Sequence, residues 1–599
     1  MNVSEVFIRR PVMTSLVMAA FLFAGLFGYF SLPVNELPNV DFPTIVVSAS
    51  LPGADAETMA STVATPLEGQ FSLIAGLDTM SSTNVLGATQ ITLQFRLDRS
   101  IDAAAQDVQS AMAAAARQLP LNLPAPPTMR KVNPAESSIF QITVTSPSLP
   151  LSAVDEYAET IIVRSISSID GVANVDIFGQ AHPAVRIQLD PDALAVRSIG
   201  VDQVANAVRN ANVNLATGQL DGPSRSAIIQ TQGQLTKAAD YRPQIIAYQG
   251  GAPVRIGDVA NVIDSVENTR LSGTYNGQAG VTLAVNRQPG ANTIAVVNAI
   301  KAALPGIRAQ LPPSLNMDIT LDRSQTIRAA VNDVQMTLLI AAILVVGVIF
   351  LFLRTVSATF IPSIALPITI AGTFAGMAAF GFSLDDLSLM ALTLCVGFVV
   401  DDAIVMLENI VRHVEEGKPP YQAALIGSQE VGFTILSMTA SLAAVFIPVL
   451  FMGGIVGRLL NEFAVTIVIA IVVSGIISVT LTPMLCSRII RPAHEDRAKS
   501  RGPFYRWSEA SFVWLQSAYE RTLRWSLGHR VLVLGVFALS LIATVVLFRV
   551  MPEDFLPSED TGQLTAFTEG ANGISFEEMR RHQLEAAQIL WNDPNIKGA

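Results

Sequence analysis

The sequence predicts a membrane-embedded α-helical bundle joined to large external α+β domains. Three observations carry this. Half of the 599 residues are hydrophobic and only 15% are charged, against about 25% charged in a typical soluble protein. Mean hydropathy is +0.45. Seven stretches are long and apolar enough to cross a bilayer: 11–31, 335–353, 358–382, 387–411, 433–452, 463–486 and 531–548. A span needs about 20 apolar residues, and the run QMTLLIAAILVVGVIFLFL has no polar stripe beyond its first turn, unlike a core helix of a soluble protein.

The first run follows Arg9 and Arg10 but is too long for a signal peptide and lacks a small-residue cleavage site directly after it, so it reads as a retained span. Lys and Arg in short loops set orientation. Arg9 and Arg10 put the N-terminus in the cytoplasm. Alternation then places Arg354, Arg412, Lys418 and the many basic residues of 487–530 on the same side, whereas 383–386 and 453–462 carry only Arg458. Residues 32–334 and 549–599 fall outside. Three of the four tryptophans, Trp507, Trp514 and Trp525, lie in the amphipathic stretch 507–525, which reads as a helix on the cytoplasmic membrane face. The net charge of −11 without a basic cluster argues against nucleic acid as a partner. Cys395 and Cys486 both lie in apolar runs and read as buried hydrophobes.

In the external region, strand signals at 44–51 and near 79–97 alternate with helices at 55–73 and 101–118. The pattern recurs at 139–146, 151–168 and 172–178 and completes at 280–287 and 291–310. Two α+β units with helices on one sheet face fit this order, the second interrupted by an insert at 184–270. Within the insert, Asp221-Gly222-Pro223 marks a hairpin across 213–235 that is too polar to form a core. A longer repeat is also visible. Pro33 and Pro38 match Pro552 and Pro557, and Gly53, Glu57 and Met59 match Gly573, Glu577 and Met579. The chain therefore reads as one half of a two-fold repeat with the opening of the second half attached.

Asp401 and Asp402 sit near the centre of the fourth run. Each centrally placed carboxylate costs about 2.5–3.5 kcal/mol on insertion scales, so such residues are candidates for proton or ion paths; a static helix–helix hydrogen bond would need only one acid. Glu408 lies seven residues on, on the same face and about 10 Å further along, either as a supporting acid or as a carboxylate at headgroup level. No Lys, Arg or His lies inside the seven runs, so the counter-charge is expected on a part of the repeat outside this sequence. Pro362, Pro367 and Gly397 are expected to provide bends and close approach. No G-x-S-x-G, H-E-x-x-H or P-loop occurs, and the five histidines show no ligand spacing, so neither an enzyme nor a metal or cofactor site is expected.

The run Gly397-Phe398-Val399-Val400-Asp401-Asp402-Ala403-Ile404-Val405-Met406-Leu407-Glu408-Asn409 resembles the fourth-span signature of resistance–nodulation–division (RND) efflux pumps. Phe7-Ile8-Arg9-Arg10-Pro11, Pro52-Gly53-Ala54, Phe446-Ile447-Pro448 and Gly453-Gly454 support it. The wording of Leu32–Pro43 and Met59–Glu68 is closest to the MdtB/MdtC-type multidrug subunits of that family. The resemblance implies seven spans of a twelve-span bundle with ferredoxin-like periplasmic porter subdomains. They would divide as follows: the first span in 1–31, one porter subdomain at 32–135, a second at 136–183 with 271–330, and a docking subdomain at 184–270 with an intersubunit hairpin at 213–235. Spans two to six would lie in 331–486, a cytoplasmic loop with an interfacial helix at 487–530, span seven at 531–550, and the start of the second periplasmic repeat at 551–599. It also implies a Gram-negative inner-membrane trimer, of one subunit type or mixed with a paralogous subunit. That trimer would exchange protons for drug-like amphiphiles, with a periplasmic adaptor and an outer-membrane channel as partners. Asp401 and Asp402 match the family's proton-relay acids. Phe178 aligns with a pocket phenylalanine and Phe140 lies near another; both also fit sheet core. Metal export by a related branch and a non-pumping role such as a protein-translocase helper are the alternatives; the 17 methionines are scattered rather than arranged as a metal relay.

Overall fold

A computed structural model describes residues 3–36, 38, 42–133, 138–212, 218–229, 234–353, 355–490, 503–551, 562–571, 573–596 and 598. Arg354, Arg491, Arg497, Lys499, Arg501 and the Pro552–Pro557 motif lie outside them. The chain forms two units: Met1–Ala135 with Gln325–Thr565, and Glu136–Ser324 with Ala566–Ala599.

Seven helices among the described residues have the length and apolar composition to cross a membrane. They are α1 (Pro11–Ser31), α2 (Arg323–Leu353), α3 (Val356–Phe380), α4 (Asp386–Glu415), α5 (Pro420–Leu450), α6 (Gly454–Ile489) and α7 (Arg530–Val550). Most reach beyond the apolar run that announced them: α2 starts twelve residues before position 335, and α5 thirteen before 433. Helical hydrogen bonding continues into polar turns that hydropathy does not register. α3, α4 and α6 carry most of the buried side chains, among them Leu366, Cys395, Val399, Ile467 and Ile471. By contrast α7 has none, and α2 exposes Leu339, Ile343, Leu344 and Val348. So much bare aliphatic surface suits lipid rather than water.

Close helix approach occurs between α1 and α3, not at Gly397. A Cβ on Gly25 would lie 2.0 Å from the Ala371 carbonyl oxygen and one on Gly28 2.8 Å from that of Phe374, whereas nothing lies within 4 Å of a Cβ placed on Gly397. Small residues let backbones meet in a bilayer; Gly397 lies on an exposed side of α4 instead. Pro362 and Pro367 both sit inside an unbroken α3.

The first unit also holds a four-stranded antiparallel sheet of β1 (Thr44–Ser50), β2 (Leu77–Val85), β3 (Ala88–Phe95) and β4 (Thr128–Val132), in the order β2-β3-β1-β4. The strand signals near 79–97 resolve into the β2–β3 hairpin. Ile45, Val47, Ile91 and Leu93 pack against Met59, Leu67 and Phe71 from the helical stretch 56–71 and Val108 from the helix Ile101–Ala115. Alternation along each strand sends these residues to one face.

In the second unit β5 (Phe140–Thr145), β6 (Val172–Phe178), β13 (Thr274–Tyr275), β14 (Gln278–Arg287) and β15 (Asn316–Asp322) form a five-stranded sheet centred on β14 and β5. Ile162, Val297 and Ile300 from its helices cover Ile142, Leu283 and Val285. Between β6 and β13 lies a run of small pairs. β7 (Pro183–Leu189) pairs with β12 (Ala260–Val266), β10 (Ile245–Gln249) with β11 (Ala252–Arg255), and β8 (Gln219–Asp221) with β9 (Ser226–Ile228) in an exposed hairpin. Positions 213–217 and 230–233 of the predicted arm lie outside the described residues.

Two of the glycines that match in the expected repeat share a backbone conformation. Gly53 takes φ +89° and Gly573 φ +88°, a region only glycine enters freely. Two residues after each, a capping side chain accepts from an amide three positions on: Asp55 from Thr58 and Ser575 from Glu578. Helices follow at Ala56 and Phe576.

Candidate functional site

Asp385 starts α4. Its carboxylate accepts from the Ser388 amide at 2.9 Å while the Ser388 hydroxyl lies 2.9 Å from the Asp385 amide, a reciprocal cap that satisfies two otherwise orphaned donors. Asp401 falls fifteen residues into this thirty-residue helix, about 22 Å from its start. Successive side chains on a helix diverge by about 100°, and the two acids face different surroundings. Asp402 is buried, with only 7% exposure, and the Thr439 hydroxyl of α5 donates to its Oδ2 at 3.4 Å. Space for that hydroxyl exists because α6 presents Gly475, where a Cβ would lie 2.7 Å from Thr439 Oγ1. One residue before it, the Ser474 hydroxyl donates to the Val399 carbonyl at 2.8 Å. Asp402 thus sits at a junction of three helices.

Asp401 is exposed and belongs to a stripe that runs Met390, Leu394, Gly397, Asp401, Glu408 and Arg412. Glu408 shares its side of the helix, as the seven-residue spacing predicts. Among the described residues neither Asp401 nor Asp402 has an ion-pair partner.

A second pair of acids was not read from the sequence. The Ser383 hydroxyl lies 2.8 Å from Asp385 Oδ2 and 3.3 Å from Glu462 Oε2, which joins the starts of α4 and α6. Ser383 and Asp385 are fully buried. The motif Ser-Leu-Asp-Asp before an apolar run signals a cap, but its partner on α6 lies 77 residues away. The guanidinium of Arg458, which the structure places in the second turn of α6 rather than in a loop, donates to the Leu97 carbonyl after β3.

The two aromatic candidates part company. Phe178, at the end of β6, is 60% exposed, whereas Phe140 is fully buried in the sheet core with Ile142 and Val285; of the two readings open for Phe140, the structure gives core. The first unit has an open cleft of about 500 Å³ over its sheet, lined by Ser48, Ser50, Thr83, Thr89, Gln90 and Thr128 among others. Ala49, Val85, Ala88, Pro124, Ala125 and Pro126 complete an uncharged and mostly apolar wall that the sequence did not announce. No cluster of three or more His, Cys, Asp or Glu suited to a metal ion occurs among the described residues.

The model of the AcrB/AcrD/AcrF family matches residues 3–599. Multidrug resistance protein MdtC of Yersinia pseudotuberculosis serotype O:1b (strain IP 31758) is 46% identical over 596 residues, covering 100% of this chain and 58% of the relative. MdtC of Yersinia pestis bv. Antiqua (strain Angola) gives the same figures. The chain thus spans a little under three fifths of the length of these relatives.

Proposed function

The chain belongs to the AcrB/AcrD/AcrF family and is a membrane protein, and from that premise we propose that it supplies the proton-binding half of a multidrug efflux pump. The observation that carries this is the pair Asp401–Asp402, set midway along an apolar helix with one carboxyl at a three-helix junction and the other on an open stripe. Adjacent carboxylates midway along an apolar, membrane-length helix are rare outside proton and ion paths.

In this reading a cation on a neighbouring segment outside this sequence covers the stripe and pairs with Asp401. Proton uptake from the periplasm releases it, and the α4–α5–α6 junction changes its packing around Asp402. Each charge carried through 100 mV supplies roughly 2.3 kcal/mol, enough to bias a two-state element by about fiftyfold. β15 ends at Asp322 and α2 begins at Arg323, so strand and span share continuous backbone along which a shift can pass. The exported compounds are amphiphiles taken from the periplasm or the outer leaflet of the inner membrane. The uncharged cleft over β1–β4 suits them, and Phe178 of the second unit is a separate candidate contact. Residues 32–135 and 136–183 with 271–330 would act as porter subdomains and 184–270 as the docking subdomain. The working form is a trimer, homomeric or mixed, joined to a periplasmic adaptor and an outer-membrane channel.

The test is proton-dependent dye efflux by the intact protein with Asp401→Asn and Asp402→Asn. Each is expected to lose most of the pH-gradient-driven component. Efflux that persists unchanged with both acids neutralised would refute the reading, and a secretion defect without an efflux defect would favour a translocase helper.

A further inference from the structure

We propose that His413, Glu416, Lys418 and Glu430 form a protonation-dependent latch between α4 and α5, a second proton-responsive site that sets the register at which Thr439 meets Asp402. Its consequence for transport rests on the efflux reading above; its chemistry does not.

His413 lies at the far end of the helix that carries the two acids and is 5% exposed. Its Nε2 faces Glu430 Oε2 of α5 at 3.0 Å. Its Nδ1 faces two groups of opposite demand: Glu416 Oε2 at 3.0 Å, which can only accept, and Lys418 Nζ at 2.8 Å, which can only donate. One nitrogen cannot serve both. With the ring neutral, Nε2–H donates to Glu430 and the Nδ1 lone pair accepts from Lys418. When the ring takes one proton from solvent at Nδ1, that N–H donates to Glu416. Lys418 then gives up Nδ1 and keeps its own contact with Glu416 at 3.2 Å. Histidine is the side chain whose ordinary titration spans the cytoplasmic range. Glu416 and Glu430 are half-exposed, so protons reach the buried ring through wet partners. His413 and Lys418 together hold the Glu416 carboxyl below its usual range, the hydrogen bond from His413 being the largest cause.

Other charged groups around the ring are accounted for. Arg412 lies 3.4 Å from Glu430, and the Asn409 amide donates to Glu430 at 3.1 Å and to the Gly427 carbonyl at 3.0 Å. On the helix Val3–Arg9, which packs on α5 and α6, Glu5 and Arg9 pair with each other. Arg488 closes α6 and Glu415 is exposed. Protonation therefore adds one positive charge to a set of two cations and two carboxylates, turns the standing Nε2–H bond to Glu430 of α5 into an ion pair, and adds a bond from Nδ1 to Glu416. Thr439 lies nine residues beyond Glu430 on α5 and Asp402 eleven before His413 on α4, about 14 and 17 Å. The latch, with Asn409 and Arg412 beside it, and the Thr439–Asp402 bond are thus polar fixings at two levels of one helix pair, which also packs through apolar contacts such as Ile410 on Gly427.

The experiment is ¹⁵N NMR on the intact protein in lipid nanodiscs, labelled at histidine. The sequence here has five histidines, and His413→Gln identifies the His413 signals. From pH 5.5 to 8.5 they should pass from a tautomer with hydrogen on Nε2 alone to a ring with hydrogen on both nitrogens. Glu430→Gln should lower the midpoint, and Lys418→Met should raise it, each by about half a pH unit or more. Efflux by the intact protein in sealed proteoliposomes should lose its dependence on cytoplasmic-side pH in His413→Gln while keeping its dependence on the opposite side. A ring that never changes protonation state over this range, or a midpoint that ignores both variants, overturns the latch. A normal titration with an unaltered efflux pH profile overturns its coupling to Asp402. If Asp401→Asn leaves efflux unchanged while His413 titrates as stated, the efflux reading fails and the latch stands.

Discussion

Replacing Gly25 tests the α1–α3 packing directly. An alanine Cβ there would lie 2.0 Å from the Ala371 carbonyl oxygen, 2.3 Å from its carbonyl carbon and 2.6 Å from its Cα. All three are backbone atoms and cannot rotate away. An ordinary contact begins near 3.4 Å, so the helices must part by about 1.4 Å at this level. A gap of 0.5–1 Å already forfeits a quarter to a half of each dispersion contact along the seam, and overpacking of this kind costs about 1–3 kcal/mol. Alanine returns up to about 1 kcal/mol through its better helix propensity. A net loss of roughly 1 kcal/mol is expected for Gly25→Ala, and more for Gly25→Leu. Gly397→Ala supplies the control, because its Cβ meets nothing within 4 Å and it gains the same propensity. The assay is unfolding of the two variants side by side in one detergent. If Gly25→Ala unfolds no earlier than Gly397→Ala, the argument from close approach is wrong.

Thr439→Val removes the donor to Asp402 while keeping shape. The bond is long at 3.4 Å and worth about 1 kcal/mol at most, so efflux should fall less than about tenfold and less than in Asp402→Asn. Burial pushes the Asp155 carboxyl above its usual range, although the Ala181 amide and His182 oppose this. An acid raised in the folded state contributes stability below its unfolded pKa and loses it as pH rises through the folded value. Asp155→Asn should therefore gain melting temperature relative to the parent as pH climbs from 4 to 7, and a difference that shrinks over that range refutes it. Asp55 shows the reverse sign: hydrogen bonds from Thr58 hold its carboxyl below the usual range, so the melting-temperature loss in Asp55→Ala should be full at pH 7 and fade as pH falls toward 3. Trp514 and Trp525 are exposed on the helix Pro503–Gly528, and their fluorescence should be quenched by lipids brominated near the headgroups.

Hydropathy made the seven helices legible, because bilayer-length apolar runs have few other uses. The sheets were legible through alternation and through the recurrence of helix and strand signals. What stayed hidden depends on helix rotation and on partners far apart in sequence. That Asp402 turns toward Thr439 and Asp401 away follows from which flank of α4 the neighbouring helices occupy, and no residue pattern within α4 states it. Ser383, Asp385 and Glu462 come together from two helix starts. His413 escaped notice because it lies two residues past the end of the apolar run drawn to 411, in polar turns where the helix still continues. Gly397 was misjudged for a related reason: small residues signal closeness to something, and here the packed neighbours lie on the other flank.

Neighbouring acids on one helical turn are often treated as a single unit of double charge. The roughly 100° between them instead hands one to the interior and one to the outer flank. Neutralising them one at a time should disturb different sets of helices, because Asp402 meets Thr439 of α5 while Asp401 lies on the open flank. Swapping the order, with a neutral residue first and then second, would tell those listeners apart.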